Sequence, residues 1–264
     1  MLYLLVGLFL ISARKILCDM RIPNSHPRKA SLEVRHGLTE GYKKGLVAEA
    51  GLIAHGRGEC FDYLLGEKTS LQAATAEKAA AAALLSAENP AISVNGNTAA
   101  LVPGGSVNLA RVTGSKLEVN LFYRTKKREG LIGKALKKAG AGKVYGLSKK
   151  HRIPGLGGER ANVDDAIWKA DVVLVPLEDG DRTEALKRMG KTVIAVDLNP
   201  LSRTARKADI TIVDNVVRAI PNMIKHARQL KGKDKKQLAQ ILKNFDNKKN
   251  LEASERLIRS GLKR

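Results

Sequence analysis

The chain has 264 residues, 44% of them hydrophobic and 4% aromatic, and 47 basic against 26 acidic residues give a net charge of +21. This length and composition are typical of one large α/β domain or two modest ones, and so few aromatic residues argue against a platform that stacks single-stranded nucleic acid. The charge predicts attraction to polyanions or anionic small molecules. The two cysteines, Cys18 and Cys60, show neither metal-ligand spacing nor a disulfide framework, which predicts a reducing, cytoplasmic setting.

The apolar run at residues 1–12 is too short to span a bilayer, which needs about 20 residues. It also lacks the basic start and the small-residue cleavage site of a signal peptide. Because Met20 precedes a more ordinary start, we expect residues 1–19 to be an unstructured leader or an overlong start, with a membrane tether as the alternative. Residues 20–264 are then predicted to form a single α/β domain.

A glycine-rich stretch at 51–67 follows a predicted helix at 31–44. Its glycines predict a tight loop around His55 and Arg57. An arginine between two glycines suits a phosphate, because its guanidinium reaches the anion without crowding. His55 taken alone is more typical of a hydrogen-bonded structural histidine, and neither glycine fingerprint of nucleotide-binding loops is present.

Helices and strands then alternate along the chain. An alanine-rich stretch predicts a helix at 69–87, and a strand at 91–94 ends in Asn-Gly-Asn, which fits either a hairpin turn or an exit into a loop. After a short helix, the pattern predicts a strand at 116–123, an amphipathic helix at 128–139, a strand at 144–147 and a basic cluster at 149–152. The cluster is either solvated surface or the wall of an anion site.

The most informative unit is at residues 170–208, where a strand at 172–175 and a strand at 193–196 flank a helix at 183–189. This order predicts two parallel neighbours in one sheet. Polar side chains follow both strands directly: Glu178, Asp179, Asp181 and Arg182 after the first, and Asp197, Asn199, Ser202 and Arg203 after the second. Residues just past the carboxyl ends of parallel strands line the crevice in which open α/β sheets bind ligands.

The remaining chain predicts a strand at 210–213, a helix at 216–230 and a lysine-rich helical tail at 231–264. The apolar stripe of the tail predicts docking on the body or on a partner, with a basic nucleic-acid arm as the alternative. Together the elements predict an α/β fold with a Rossmann-like, mostly parallel sheet flanked by helices and a helical C-terminal segment.

Five predicted strand ends place polar side chains at one edge of this sheet, at 95–97, 123–125, 178–182, 197–199 and 214–215. Arginines suit phosphate and carboxylate oxygens, a carboxylate suits ribose hydroxyls, and acidic groups suit Mg²⁺ on a triphosphate. No serine or cysteine nucleophile with a neighbouring base is visible. The residues therefore predict a phosphate-bearing ligand, with a nucleotide favoured, and leave the metal ligands undetermined.

Several long blocks of the sequence resemble the archaeal phosphopantothenate synthetases, also called 4-phosphopantoate–β-alanine ligases. The blocks are SHPR at 25–28, GLIAHGRGE at 51–59, NPAISVNGN at 89–97, EVNLFYRT at 118–125, PLEDGDRTEAL at 176–186, DLNPLSRTA at 197–205 and ITIVDNVVRA at 210–219. The resemblance runs from about residue 22 through the C-terminal helix and leaves residues 1–19 outside, which supports Met20 as the start.

The resemblance implies ATP-dependent amide formation in coenzyme A biosynthesis. The carboxylate of 4-phosphopantoate attacks the α-phosphate of ATP, which gives an acyl-adenylate and pyrophosphate, and β-alanine then displaces AMP. The resemblance also implies ATP and Mg²⁺ as cofactors and a homodimer. Candidates for its interface are the apolar stripe of the tail and the alanine-rich helix. The implied activity requires neither nucleic acid nor a membrane.

The family's nucleotide contacts match nine residues of this chain: Arg35, Arg57, Asp197, Leu198, Asn199, Arg203, Thr204, Asn215 and Val216. Asp197 and Asn199 are assigned to adenosine, and Arg57 and Arg203 to phosphates. Strand-end position assigns 4-phosphopantoate to a second set: Asn95, Asn97, Arg124, Asp181 and Arg182, with His55 and His151 as lesser candidates. Arg57, Asp181 and Arg182 are predicted to be catalytic.

Two other functions stay open at this point. A regulatory protein that binds ATP without turnover would use the same binding residues. A basic nucleic-acid-binding protein is motivated by the charge of +21, but the acidic run at 178–181 would repel a phosphate backbone.

Overall fold

The computed structural model describes residues 22–261. The chain divides into two units, Met1–His36 and Gly37–Arg264. The described part of the first unit contains turns and the first half of helix α1 (Lys29–Lys43), which begins slightly before the predicted position. The predicted leader at 1–19 lies outside the described residues, and the single domain from residue 20 stays a prediction. No helix within residues 22–261 is long and apolar enough to cross a membrane.

A six-stranded parallel sheet forms the centre of the second unit. The strands within the described residues are β1 (Pro90–Val94), β2 (Lys116–Val119), β3 (Val144–Tyr145), β4 (His151–Arg152), β5 (Asn162–Val163), β6 (Val172–Pro176), β7 (Thr192–Val196) and β8 (Ile210–Ile212). In the main sheet they lie in the order β3-β2-β1-β6-β7-β8, and β4 and β5 form a separate antiparallel pair. The strand order reverses between β1 and β6, which is the position where open α/β sheets bind ligands.

Helices cover both faces of this sheet, as the sequence predicts. After α1 they are α2 (Glu49–Leu65), α3 (Leu71–Ser86), α4 (Gly96–Leu101), α5 (Pro103–Thr113), α6 (Lys126–Lys138), α7 (Asp165–Trp168), α8 (Gly180–Arg188), α9 (Arg203–Lys207), α10 (Val216–Leu230), α11 (Lys235–Lys243) and α12 (Asn247–Gly261). The α/β fold with a helical C-terminal segment is confirmed.

Alternate residues of the central strands pack into two different cores. Leu174 of β6 and Ile194 of β7 lie in the core that also contains residues of α3, α5 and α10. Val173 and Val193 lie in the opposite core, with residues of α7 and α8. Side chains of a strand point alternately to its two faces, so strands buried on both faces are apolar throughout, as these are.

The alanine-rich helix and the apolar stripe of the tail pack against other parts of the chain. The dimer interface for which they are candidates stays a prediction. Most of α3 is buried, and its Ala81 and Ala82 pack with Leu238 of α11. Ile258 of α12 packs with Leu65 of α2. The apolar stripe of the tail therefore docks on the body, which is one of the two outcomes its pattern predicts.

The glycine-rich stretch is a helix, so the predicted loop at 51–67 is wrong. It forms α2 because its carboxyl-terminal part packs on Leu198, Val213 and α12, and tertiary packing outweighs the low helix propensity of glycine. Gly51 instead allows α2 to lie close to Asn97 of α4, because a Cβ at this position would be 2.4 Å from Oδ1 of Asn97. The helix ends at Gly66, whose φ of 89° is in the left-handed region that glycine adopts readily.

Candidate active site

A cavity of about 470 Å³ lies at the carboxyl edge of the sheet. This volume is within the range of small-molecule sites. Each of the five predicted strand ends contributes to its lining: Asn95, Gly96 and Asn97 after β1; Leu121, Phe122 and Tyr123 after β2; Leu177, Glu178 and Asp179 after β6; Asp197, Leu198 and Asn199 after β7; and Asn215 and Val216 after β8. The predicted convergence of strand ends is confirmed.

Asn95 joins the ends of the two strands at the reversal point. Its side-chain amide donates to the carbonyl oxygens of Pro176 and Leu177, both at 2.9 Å. Its Oδ1 accepts from the backbone N–H of Thr98 and caps α4, so the Asn-Gly-Asn segment is a strand exit into a helix and not a hairpin. Asn97 donates to the carbonyl oxygen of Gly51 and thereby ties α4 to α2.

Asp197 sits in the turn after β7 with both of its carboxylate oxygens engaged. Oδ2 accepts from the Ser202 hydroxyl at 2.5 Å, and Oδ1 accepts from the backbone N–H of Asn199 at 2.9 Å. Burial raises the pKa of Asp197, although these hydrogen bonds and the Arg57 charge oppose that shift. Thr204 donates to the carbonyl oxygen of Glu178 and so links this turn to the end of β6.

Helix α2 forms one wall of the cavity and carries two of the predicted residues, His55 and Arg57. Arg57 is exposed, so its guanidinium is accessible to a ligand. The helix is held to the far end of the sheet through Asp62, which accepts from the Asn215 side chain at 2.9 Å. Asn215 itself caps α10 by accepting from the backbone N–H of Val217.

Glu178 and Arg182 form an ion pair behind the cavity wall, with Oε2 and Nε 3.6 Å apart. Arg182 is fully buried, and among the described residues neither its Nε nor its Nη1 has a hydrogen-bond partner. Burial raises the pKa of Glu178 to about 7, with Asp179 adding to the shift and Arg182 opposing it. Arg182 does not line the cavity, but Glu178, with which it pairs, is one of the lining residues.

Asp181 and Arg203 lie beside the cavity and are bonded to each other, Nη1 to Oδ1 at 2.5 Å. Asp181 also accepts from Arg160, and Arg203 pairs with Glu184 at 2.6 Å. The hydrogen bonds from Arg160 and Arg203 lower the pKa of Asp181. Neither Asp181 nor Arg203 is part of the lining, although Thr204 next to Arg203 is.

Arg124 and His151 are held away from the cavity by bonds to the protein. Arg124 is buried, pairs with Glu129, and donates to the carbonyl oxygens of Gly146 and Asn162. His151 bonds to Asp165 at 3.0 Å and stacks on the Trp168 ring with centroids 4.8 Å apart. The basic cluster at 149–152 is therefore paired in part with carboxylates, as Lys149 is with Glu159.

The remaining predicted nucleotide contact, Arg35, lies on α1 in the first unit. Its assignment stays a prediction.

The sequence did not single out Arg128, a cation in the lining. Arg128 donates to the carbonyl oxygens of Tyr123 and Leu46, and burial lowers its pKa. It sits at the start of an amphipathic helix, where the periodicity alone gave no sign of a site. Phe122 and Tyr123 also line the cavity as exposed aromatic residues, with ring centroids 4.9 Å apart.

Comparison with known proteins identifies the family. The model of the phosphopantothenate/pantothenate synthetase family matches residues 72–261. The 4-phosphopantoate–β-alanine ligases of Thermococcus onnurineus and Thermococcus kodakarensis are each 57% identical over 234 residues, which cover 88% of this chain and 90% of each relative. The ligase of Methanosarcina mazei is 50% identical over 242 residues, 92% of this chain and 96% of its own.

The chain belongs to the phosphopantothenate synthetase family. The match covers the whole parallel sheet from β1 to β8 and therefore every strand end that lines the cavity. As a member of the phosphopantothenate synthetases the chain is an enzyme of the ligase class. Residues 22–261 contain no group of three or more His, Cys, Asp or Glu side chains arranged to hold a metal ion.

Proposed function

We propose that this chain is an ATP-dependent 4-phosphopantoate–β-alanine ligase that makes 4′-phosphopantothenate for coenzyme A biosynthesis. The observation that carries the proposal is that relatives with this name are 50% to 57% identical over most of the chain. The cavity supports it, because it combines strand-end polar groups with cations and lies where α/β sheets bind nucleotides.

The reaction has two steps. A carboxylate oxygen of 4-phosphopantoate bonds to the α-phosphorus of ATP, and pyrophosphate leaves, which gives an acyl-adenylate. The amine of β-alanine then bonds to the acyl carbon, and AMP leaves with the electron pair of the broken C–O bond. Neither step needs a protein nucleophile, so the protein acts by positioning the reactants and stabilising charge.

For the nucleotide we propose the turn Asp197-Leu198-Asn199 at adenosine, with Thr204, Asn215 and Val216 beside it. Arg57 is assigned to the phosphates, because it is exposed and lines the same cavity as these turns. Arg203 and Arg35 are proposed as further nucleotide contacts. Mg²⁺ enters as part of the substrate on the triphosphate, which needs only one or two carboxylates from the protein.

For 4-phosphopantoate we propose contacts from Asn97 and His55, which line the cavity near α4 and α2. Asn95 acts there by holding the ends of β1 and β6 in place, since its amide hydrogens are already donated. Asp181 and Arg182 are proposed to contribute to catalysis from positions beside the cavity. Arg124 and His151 stay candidates for substrate binding, and Arg124 is tested below.

We also propose that the enzyme works in the cytoplasm as a homodimer, without nucleic acid or membrane. Light scattering of the purified full chain tests the dimer, and a monomer mass at working concentration contradicts it.

Product analysis tests the proposed function. The full chain is supplied with ATP, Mg²⁺ and β-alanine, together with either 4-phosphopantoate or unphosphorylated pantoate. We expect AMP and pyrophosphate only with the phosphorylated acid. AMP with neither acid, despite ATP binding, contradicts the ligase and favours the regulatory alternative.

A further inference from the structure

We propose that Glu178 is the general base that deprotonates the β-alanine ammonium, with Arg182 as its positioning residue. This inference rests on the proposed ligase function and names the group that prepares the amine for attack. A bound ammonium has no lone pair, so the second step needs a proton acceptor within hydrogen-bond reach of the nitrogen.

The position of β6 in the sheet places Glu178 where the reacting carbon must lie. β6 lies between β1, whose end is assigned to the acid, and β7, whose end is assigned to the nucleotide. An acyl-adenylate joins acid and nucleotide through one bond, so its acyl carbon lies between the two turns. Glu178 follows β6 and lines the cavity at this point.

The other two carboxylates of the lining each accept two hydrogen bonds, whereas Glu178 accepts one. Asp197 accepts a hydrogen bond on each of its oxygens. Asp179 caps α8 through Oδ1, which also accepts from Arg160, although its Oδ2 accepts none. Glu178 accepts only from the backbone N–H of Asp179, on Oε1, so among the described residues no donor occupies Oε2. Glu178 thus keeps an oxygen free for a proton.

The backbone next to Glu178 is held in a strained conformation. Leu177, just before it, has a φ of 54°, a left-handed conformation that costs a leucine about 1 kcal/mol. The carbonyl oxygens of Leu177 and Glu178 are held by Asn95 and Thr204, at 2.9 Å and 2.8 Å. Strain that the surrounding structure maintains is typical of functional sites. This held segment is part of the cavity lining, to which both Leu177 and Glu178 contribute.

Arg182 supplies the counter-charge behind Glu178. Its side chain has no exposed surface, and its Nε lies 3.6 Å from Oε2, beyond hydrogen-bond distance. Asp179 in the same loop is also charged and is paired with Arg160, and Arg57, Arg128 and Asp197 are the further charged residues that line the cavity. The neighbouring Asn95, Leu121 and Thr204 are uncharged. A carboxylate in this setting has a pKa of about 7, so it is basic enough to accept a proton and is partly ionised at neutral pH.

The proposed step is balanced. The Glu178 carboxylate takes one proton from the β-alanine ammonium and leaves a neutral amine. The nitrogen lone pair forms the C–N bond to the acyl carbon, and the bond from that carbon to the phosphate oxygen breaks, so that AMP leaves with the electron pair. The second nitrogen proton goes to water, and the Glu178 proton follows when products leave.

The two half-reactions separate this role from binding and folding. In Glu178→Gln we expect exchange of labelled pyrophosphate into ATP, driven by 4-phosphopantoate alone, to be retained. We expect turnover with β-alanine to fall about 100-fold or more. Hydroxylamine is already neutral at neutral pH and needs no base, so we expect it to capture the acyl-adenylate as well in the variant as in the natural chain. Glu252→Gln, at an exposed glutamate on α12, is the matched control.

Glu178→Asp is a second variant, in case Glu178→Gln fails to fold. It keeps a negative charge opposite Arg182, but its shorter side chain moves the carboxylate away from the β-alanine nitrogen by one methylene. We expect an unchanged exchange rate and a reduced β-alanine rate in this variant. In the natural chain the β-alanine rate should rise with pH through about 7, and that rise should be absent in Glu178→Gln. Loss of pyrophosphate exchange in both variants, or full β-alanine turnover in Glu178→Gln, overturns the proposal. Absence of 4-phosphopantoate-dependent exchange in the natural chain contradicts the ligase function itself.

Discussion

Arg218 and Asp62 form an ion pair, Nη2 to Oδ1 at 2.5 Å, that joins the start of α10 to the end of α2. Arg218 also pairs with Asp214 at 2.6 Å, directly after β8. Asp62 is buried and accepts from Asn215 as well. These bonds connect the helix that carries Arg57 to the end of the sheet, so they set the distance across the cavity.

We expect Asp62→Ala to lower both stability and nucleotide affinity. Breaking a buried ion pair costs about 3–5 kcal/mol, and we expect about 2 kcal/mol here because Asp214 still pairs with Arg218. The KM for ATP should rise, because α2 loses its anchor. Urea unfolding and steady-state kinetics measure the two effects. An unchanged KM would show that this pair does not position Arg57.

Arg57→Ala should strongly reduce catalysis and leave the fold intact. The side chain is exposed, so its removal creates no cavity, whereas loss of a cation at the phosphates is expected to cost about 100-fold or more in kcat/KM. AMP formation and thermal unfolding are measured side by side. The control is Arg259→Ala, at an exposed arginine on α12. AMP production by Arg57→Ala at the rate of this control would contradict a role of Arg57 in catalysis.

The sequence predicted the fold well because strands buried on both faces are apolar runs, and Val172–Pro176 is one of them. It also predicted that Asn95, Asn97 and Asp197 meet at one cavity, since parallel strands end at one edge. The prediction of a loop at 51–67 was wrong. Glycine has a low helix propensity, but tertiary packing stabilises the helix there, and Gly51 is explained by its close contact with Asn97. The sequence also contained no sign that Arg182 lies behind Glu178, because burial of an arginine depends on distant partners.

Arg124→Ala distinguishes a structural arginine from a substrate-binding one. Arg124 and Glu129 are both buried, so removal of the arginine leaves a buried carboxylate with only Lys149, at 4.0 Å, as a counter-charge, and we expect a loss of about 3 kcal/mol. Urea unfolding measures this loss, with the exposed Arg152→Ala as control. Full stability together with a raised KM for 4-phosphopantoate would instead establish Arg124 as a substrate ligand.

Glu77 should make stability depend on pH. Burial raises its pKa from 4.5 to about 8, so between these values the folded state binds a proton that the unfolded state has lost. The free energy of unfolding therefore falls as pH rises from 4.5 to about 8. Glu77→Gln, which stays neutral, should flatten that fall in part, since Glu118 is shifted in the same direction. An identical pH dependence in the variant and the natural chain would contradict this assignment.

The fate of a labelled oxygen tests the central claim most directly. 4-Phosphopantoate whose carboxylate carries a heavy oxygen isotope is incubated with ATP, Mg²⁺, β-alanine and the full chain, and the products are weighed by mass spectrometry. The account predicts that one labelled oxygen appears in AMP, because the acid attacks the α-phosphorus. Formation of ADP with the label in inorganic phosphate would show attack at the γ-phosphorus and would contradict the account.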